Sequence, residues 1–210
     1  MEVGAIISDF GGVLTSPLID SFRAFQESSG VSLEQLGTAM AAIGARRGAN
    51  PLFELETGRM TEAEFLHELG AELGQTLGRP IALRGFGERY FAGLAPNDEM
   101  IEYMRSLRGR GYRLAICTNN VREWESLWRA MLPVDEIFEV VVDSAFVGTR
   151  KPESRIFELT LEQLGVDADS ALLIDDIEIN CEAARALGMH AVWFRSAGQA
   201  IAETEAALAA

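Results

Sequence analysis

Residues 3–14 read VGAIISDFGGVL, an apolar run followed by an aspartate, a phenylalanine and two glycines. A short apolar run rich in β-branched residues is typical of a buried strand, so residues 3–8 are predicted to form one. Asp9 then lies at the carboxyl end of this strand, and the glycines after it favour a sharp turn. The rest of the sequence decides what kind of sheet this strand belongs to.

Strands and helices alternate through the second half of the sequence. Further strands are predicted at residues 113–117, 138–142, 171–174 and 190–194. Helical spacing of apolar residues occupies the segments 98–108, 121–132, 154–164 and 178–187. Such alternation predicts an α/β fold with right-handed βαβ units and a parallel sheet covered on both faces. Ligands of such sheets bind at the carboxyl ends of the strands.

A long helical insertion separates the first strand from the others. Helices are predicted at residues 19–26, 33–46, 61–73 and 81–92, and Thr61 with Glu64 forms the pattern of a capping box. The predicted division is therefore a core of residues 1–15 and 89–210 and an inserted helical domain of residues 16–88. The insertion is expected to stand over the carboxyl edge of the sheet.

Composition limits the classes of partner. The 210 residues are 48% hydrophobic, enough to bury a core without disulfides, and Cys117 and Cys181 lie in apolar or helical stretches. Net charge is −14, without a basic cluster, which argues against nucleic acid. No apolar segment is long enough to cross a membrane, and no leader pattern is present. A cytoplasmic protein acting on a small molecule is expected, and its oligomeric state is not indicated.

Three more polar segments follow predicted strands: Thr118-Asn119-Asn120, Lys151-Pro152 and Asp175-Asp176. Each alone has an ordinary explanation as a helix cap, a turn or a solvated loop. Together with Asp9 they would bring a hydroxyl, an amine and several carboxylates to one edge of the sheet. This set of groups is what phosphoryl transfer through a covalent aspartyl intermediate requires.

The acidic residues and the amine have distinct predicted roles. Asp9 is the candidate nucleophile, and its oxygen and that of Asp176 are ligands suited to Mg²⁺, with Asp175 acting on the metal through a water. Lys151 would offset the charge on the phosphoryl group during transfer. Asn180, four residues after Asp176, is expected to orient Lys151 or Asp176.

The remaining candidates would bind the phosphate oxygens. Gly11 and Gly12 let the backbone approach the phosphate and offer N–H groups. The Thr118 hydroxyl and the Asn119 N–H are predicted to bind the same oxygens.

These segments resemble the four motifs of the haloacid dehalogenase superfamily, in that superfamily's order and spacing, over residues 3 to about 195. The resemblance implies a Rossmann-like, doubly wound parallel sheet with an inserted helical cap. It implies that Asp9 is the nucleophile, Thr118 the phosphate-binding hydroxyl, Lys151 the stabilising amine and Asp176 a metal ligand. It adds the backbone carbonyl of Gly11 as a further ligand of Mg²⁺.

One position departs from the pattern of the superfamily. Its phosphatases usually carry a second aspartate two positions after the nucleophile, as proton donor, and this sequence has Gly11 there. Such general acid–base help is worth roughly 10²–10⁴ in rate. The wording of residues 9–14 is similar to a branch that includes N-terminal-domain relatives of soluble epoxide hydrolases and some sugar-phosphate phosphatases. A sugar phosphate with an anomeric leaving group would depend less on a donor, so it is weakly favoured.

Two alternatives stay open. Loss of the donor at Gly11 also fits a phosphate-binding or regulatory protein that has lost turnover. A 2-haloacid dehalogenase, which needs no metal, fits less well because the adjacent carboxylates of Asp175 and Asp176 would repel each other and the nucleophile. Three arginines of the insertion could meet an anionic substrate, although solvated helix faces explain them equally well: Arg46, Arg47 and Arg59.

Overall fold

A computed structural model describes residues 3–209, apart from the side chains of Ala24 and Ser28. Its five strands are β1 (Ala5–Ser8), β2 (Arg113–Thr118), β3 (Val140–Asp143), β4 (Ala171–Asp175) and β5 (His190–Trp193). All pairings are parallel, in the order β3-β2-β1-β4-β5, with Ile7 of β1 opposite Ala115 and Leu173. The predicted α/β class with a parallel sheet is confirmed. The first strand lies at the centre of the sheet.

Helices cover both faces of this sheet. The helices of the core come after the insertion in the chain, and they are α6 (Asp98–Gly109), α7 (Glu125–Arg129), α8 (Val134–Ile137), α9 (Ser144–Val147), α10 (Ser154–Leu164), α11 (Glu178–Ala186) and α12 (Ala197–Leu208). Successive residues of β1 point to opposite faces: Ile6 joins one apolar cluster with Met104 and Trp128, and Ile7 joins another with Phe157. The doubly wound arrangement follows from this alternation.

Five of the six helices described between β1 and β2 form the insertion: α1 (Ile19–Ser29), α2 (Leu33–Arg47), α3 (Pro51–Glu56), α4 (Glu62–Leu77) and α5 (Phe86–Ala92). They share a third apolar cluster, which includes Ile43, Leu55 and Leu73. The predicted capping box of Thr61 and Glu64 is confirmed at the start of α4. Helices this short are stabilised mainly by the cluster they bury together.

Two predicted helices differ in detail from the structure, and one helix was not predicted. Helix α3 was not predicted, although Asn50 caps it and Pro51 occupies its first position. The helix expected from residue 81 begins only at Phe86, because Gly85 has a φ of 65°, outside the right-handed helical region. The helix expected at 121–132 is broken into a 3₁₀ turn and α7.

The two chain crossings between insertion and core lie side by side. Thr15 and Pro96 form an isolated antiparallel bridge, and the Ser16 N–H donates to the carbonyl of Ala95 at 2.7 Å. The division at residues 15/16 and 88/89 stays a prediction, and this bridge favours a second boundary closer to Pro96. Among residues 3–209, no helix combines the length and the apolar character needed to cross a bilayer.

Candidate active site

Three of the predicted site residues lie at the carboxyl ends of the central strands. Asp9 follows β1 directly, and its N–H donates to the Ile174 carbonyl of β4 at 2.9 Å. Thr118 is the last residue of β2, and Asp175 is the last residue of β4. Parallel strands in register end at the same edge, so the topology brings these side chains together.

Lys151 joins two of these carboxylates. Its Nζ lies 2.8 Å from Oδ1 of Asp9 and 2.7 Å from Oδ2 of Asp175, and its side chain is 1% exposed. It is also the only lysine in the sequence; the other basic residues, apart from two histidines, are arginines. Burial alone would lower the pKa of Lys151, but the facing carboxylates of Asp175 and Asp9 raise it. The ammonium is therefore a fixed positive charge.

The backbone of Lys151 is held by the side chain of Asn119. The Lys151 N–H donates to Oδ1 of Asn119 at 2.8 Å, and Nδ2 of Asn119 donates to the Lys151 carbonyl at 3.0 Å. The sequence predicted a role for the Asn119 N–H and missed this one for its side chain. The two bonds fix the loop after β3 against the end of β2.

Asp175 is fully buried and saturated with donors. Besides Lys151, its carboxylate accepts from the Ile177 N–H and from Nδ2 of Asn180, both on Oδ1 at 2.9 Å. Asn180 was expected to orient Lys151 or Asp176, and in the structure its amide bonds to Asp175 instead. Asn180 therefore acts on Lys151 through one intermediate carboxylate. These contacts fix the Asp175 carboxylate in place, and the carboxylate in turn positions the Lys151 ammonium.

Three carboxylates converge beside the lysine. Oxygens of Asp9, Asp175 and Asp176 all lie within 4.8 Å of one another. Burial raises the pKa of Asp9 to about 7 against the opposing effect of Lys151. Burial and then the Asp175 charge raise the pKa of Asp176 to about 6. Fully ionised, three carboxylates and one ammonium sum to a charge of −2, which favours a divalent cation.

Asp176 carries the observation that best tests whether a metal fits. Its Oδ1 is buried and has no hydrogen-bond partner among the described residues. A buried carboxylate oxygen without a partner is costly unless it meets a donor or a cation. Oxygen ligands of this kind are the ones that Mg²⁺ prefers, so these residues fit the metal that the sequence implied.

The glycines after Asp9 allow close packing. Gly12 has a φ of 80°, and a Cβ there would lie 2.3 Å from Oδ2 of Asp176. Its N–H donates to Oγ1 of Thr15 at 3.0 Å, so this N–H is engaged within the turn, although the sequence predicted it as a phosphate donor. A Cβ on Gly11 would lie 2.9 Å from Cδ2 of Leu18. Gly12 therefore requires glycine, whereas a side chain at position 11 would require the Leu18 side chain to shift.

A cavity of about 260 Å³ lies between this edge of the sheet and the insertion. Its polar end, here called the floor, consists of Asp9, Thr118, Asn119, Lys151, Asp176 and Asn180. Its apolar side, here called the wall, consists of Leu18, Phe22, Leu36, Met40, Leu52, Leu55, Phe65, Leu69, Phe86, Tyr90, Phe91, Leu94, Val121 and Trp124. Most of the wall comes from helices α1 to α5. The floor comes from the carboxyl edge of the sheet and the segments that follow its strands.

An ion pair that the sequence did not reveal joins the insertion to the core, and both of its residues line this cavity. Nε of Arg150 lies 2.6 Å from Oε2 of Glu56, and both side chains are mostly buried. The Arg150 guanidinium also lies 3.8 Å above the ring of Phe53, and the Ser144 hydroxyl donates to the Glu56 carbonyl at 2.5 Å. Burial raises the pKa of Glu56, while Arg150 lowers it. The adjacency of Arg150 to Lys151 was the only signal in the sequence.

The three arginines considered as substrate contacts lie elsewhere. Arg46 pairs with Glu72 at 2.6 Å, and Arg47 pairs with Glu54 and Glu68. Arg59 reaches the Gly148 carbonyl at 3.5 Å. None of them lines the cavity as described. They form exposed ion pairs and contacts of the insertion, as solvated helix faces do.

Known proteins resemble this chain in sequence and in fold. The sequence profile of haloacid dehalogenase-like hydrolases matches residues 3–188. A haloacid dehalogenase family enzyme from Bacteroides thetaiotaomicron, crystallised with magnesium and inorganic phosphate, superposes with a TM-score of 0.66. It is 22% identical and aligns over 90% of this chain and 93% of its own, so it shows the fold.

Three relatives have curated names. Acyl-CoA dehydrogenase family member 10 of Mus musculus is 28% identical over 97% of this chain. Glyceraldehyde 3-phosphate phosphatase of Pyrococcus abyssi is 41% identical over 42% of it. Sesquiterpene phosphatase astK of Aspergillus oryzae is 29% identical over 88% of it and 86% of its own length. The chain spans only 19% of the mouse protein and 38% of the archaeal one.

Proposed function

The chain belongs to the haloacid dehalogenase-like hydrolases, and we propose that it is a magnesium-dependent phosphatase of a small phosphate monoester. The observation that carries this proposal is the contact of Lys151 with Asp9, Nζ to Oδ1 at 2.8 Å, beside Asp176 on the floor of the cavity. A nucleophilic carboxylate next to a fixed ammonium is suited to attack on a phosphoryl group.

Magnesium is supported by the chemistry of the floor. We assign Asp9 and Asp176 as its ligands, because their oxygens converge and Oδ1 of Asp176 lacks another partner in the described part of the chain. The backbone carbonyl of Gly11 is added as a third ligand from the resemblance to the family. The charge of −2 on the cluster matches a divalent ion. When bound, the metal masks the charge of the phosphate, so that an anionic carboxylate can approach it. A bacterial enzyme of the same fold binds magnesium and phosphate.

In the proposed reaction, the residues of the floor catalyse two steps: formation of a phospho-aspartate and its hydrolysis. Oδ1 of Asp9 is held by Lys151 and by the Phe10 N–H at 2.7 Å, so we assign Oδ2 as the attacking atom. It forms a bond to phosphorus while the bond to the substrate oxygen breaks, and the departing alkoxide takes a proton from solvent water, because Gly11 supplies no donor. Water then attacks the phospho-aspartate, releasing inorganic phosphate and restoring Asp9. The Thr118 hydroxyl, the Asn119 N–H and Lys151 stabilise the phosphoryl oxygens throughout.

The helical insertion is proposed to act as a cap. It carries most of the wall, and its Glu56 meets Arg150 of the core beside the site. Closing such a cavity excludes water and strengthens the electrostatic contacts on the floor. We propose residues 16–88 as this cap, with the second boundary extended toward Pro96.

The residues of the floor do not indicate the organic part of the substrate. Two relatives are named for phosphatase activity on very different molecules, glyceraldehyde 3-phosphate and a sesquiterpene. They share only the phosphate, which is the part that the floor would bind. The absence of a proton donor at Gly11 weakly favoured a sugar phosphate. The side chains of the wall also bear on the choice of substrate class.

Hydrolysis of p-nitrophenyl phosphate tests the proposed function. Its acidic leaving group needs no proton donor, so the wild-type enzyme should release nitrophenol with Mg²⁺ present. Asp9→Asn should lower the rate by about 10⁴-fold or more, as loss of a covalent nucleophile does. Removal of divalent metal by a chelator should abolish release, and added Mg²⁺ should restore it.

A matched control is Asp98→Asn, at an exposed aspartate in the first turn of α6. This variant should retain full activity. Absence of release by the wild-type protein would favour the alternative of a phosphate-binding protein. Release that survives complete removal of metal would contradict the role of Asp176.

A further inference from the structure

We propose that the substrate is the phosphate monoester of a lipophilic alcohol, with a hydrocarbon chain lying along the wall of the cavity. This inference rests on the proposed phosphatase function and specifies its substrate class. The phosphate would occupy the floor beside Lys151, and the hydrocarbon would extend toward the insertion.

The distribution of side chains around the cavity supports this orientation. Leu36 and Met40 of α2, Leu52 of α3 and Leu69 of α4 face it from the insertion. The predicted catalytic groups are all at the opposite end, on the floor. A molecule that satisfies both ends must be anionic at one end and apolar at the other.

Aromatic rings extend the apolar surface. Tyr90 and Trp124 are stacked with ring centroids 5.3 Å apart, and Phe86 stacks on Trp124 at 6.0 Å. These rings present flat apolar faces, which are suited to contact with a hydrocarbon. The side chain of Ile177 also lines the cavity and is 48% exposed, which places an apolar residue at its mouth.

Polar groups near the wall are engaged with one another. Glu56 pairs with Arg150 at 2.6 Å, and the Trp124 indole N–H donates to Oε1 of Glu62 at 2.7 Å. The hydroxyl of Tyr90 adds one hydrogen-bonding group to this side. On binding, the several hydroxyls of a sugar would lose their hydrogen bonds to water and would find few hydrogen-bonding groups on this surface, which is unfavourable. This surface argues against the sugar phosphate favoured by the sequence.

A series of n-alkyl phosphates from ethyl to decyl, used below micelle-forming concentrations, measures the contribution of the wall. The kcat/KM should rise about three- to fourfold for each added methylene until the cavity is filled. Glycerol 3-phosphate and glucose 6-phosphate should be poorer substrates than butyl and hexyl phosphate. A flat series, or equal activity on the hydroxylated compounds, would overturn the inference while leaving the phosphatase function intact.

Binding to Asp9→Asn separates the two proposals if turnover is absent. Titration calorimetry with Mg²⁺ should show decyl phosphate binding at least tenfold more tightly than ethyl phosphate, with a more negative heat-capacity change from apolar burial. An inactive wild-type protein whose Asp9→Asn variant shows this preference would refute only the phosphatase function. Equal affinity for the two compounds would refute the hydrocarbon site.

Substitution within one helix locates the site on the wall. Met40→Gln preserves the length of a side chain that lines the cavity and makes its end polar. It should reduce the ratio of kcat/KM for decyl over ethyl phosphate by about five- to tenfold, because the hydrocarbon would meet an amide. In the Asp9→Asn background the ratio of affinities should fall likewise.

Leu33→Gln is the matched control on the same helix. Leu33 is 40% exposed and does not line the cavity. The decyl-to-ethyl ratio should be unchanged in this variant. An equal fall in both variants would indicate a general effect on α2, and an unchanged ratio in Met40→Gln would contradict the proposed position of the hydrocarbon.

Discussion

The floor and the wall of one cavity are built by different physical means. On the floor and directly behind it, Lys151 pairs with Asp9 and Asp175 at 2.7–2.8 Å, so these three charges have specific partners. The wall is a set of apolar side chains from separate helices whose contacts are set by packing. Charges at such distances tolerate little displacement, whereas apolar contacts depend on area and shape. The floor is therefore suited to a reaction that requires exact positions of charged groups. The wall is suited to substrate specificity, which can change when apolar side chains are substituted.

The largest effect should come from removing the cation of the floor. Lys151→Met would leave the two buried carboxylates of Asp9 and Asp175 without their ammonium, so the free energy of unfolding should fall by about 3–5 kcal/mol. Activity on p-nitrophenyl phosphate should fall by about 10²–10³ with loss of this electrostatic stabilisation. Urea unfolding and steady-state assays measure the two effects.

Arg155→Met is the control for that experiment. Arg155 is an exposed cation of α10, paired with Glu158 and Glu162, so its removal should change stability little. Similar losses in both variants would show that the floor does not depend on a specific charge. The contrast drawn between floor and wall would then fail.

A smaller effect is expected from one added methyl group beneath the floor. Gly12→Ala brings a Cβ to 2.3 Å from Oδ2 of Asp176, so this carboxylate must move and Mg²⁺ should bind more weakly. Gly48→Ala shares a positive φ, 76°, but has open space around its Cβ. It should show only the backbone strain, about 1–2 kcal/mol. Equal Mg²⁺ requirements in the two variants would exclude the predicted effect on Asp176.

The smallest effect should come from the ion pair beside the wall. Glu56→Gln retains an acceptor for Arg150 but removes the charge, so the free energy of unfolding should fall by about 1 kcal/mol. A modest rise in KM should accompany it as the insertion closes less firmly. Glu54→Gln on the same helix, at the exposed pair with Arg47, is the control. A loss as large as that of Lys151→Met would place the critical electrostatics at the insertion.

The floor could be predicted because topology determines it. Asp9 directly follows a strand and Thr118 and Asp175 each end one, and parallel strands end at one edge, so convergence follows once the strands are identified. Lys151 follows β3 by a short helix and a loop, and it reaches the same edge. The finer contacts were not predictable in this way. Asn119 bonds to the backbone of Lys151 through its side chain, and Asn180 bonds to Asp175 rather than to Lys151 or Asp176.

The wall could not be predicted because it depends on how helices dock. Apolar spacing in α2 and α4 indicated buried faces, but a face that lines a cavity has the same pattern as one that packs in a core. The pair of Glu56 and Arg150 joins residues 94 positions apart, without any local pattern. Specificity was therefore the least accessible property of the sequence, and the sugar phosphate that it favoured is not supported by the apolar lining.

The presence of one lysine in the whole sequence, buried beneath the cavity, has a practical consequence. Acylating or pyridoxylating reagents that select primary amines find a single side-chain target, apart from the amino terminus. Because that target is 1% exposed and its ammonium is paired with Asp9 and Asp175, we expect such reagents to label it slowly. A ligand bound on the floor should slow the labelling further, so the rate of modification of one side chain can report occupancy of the cavity.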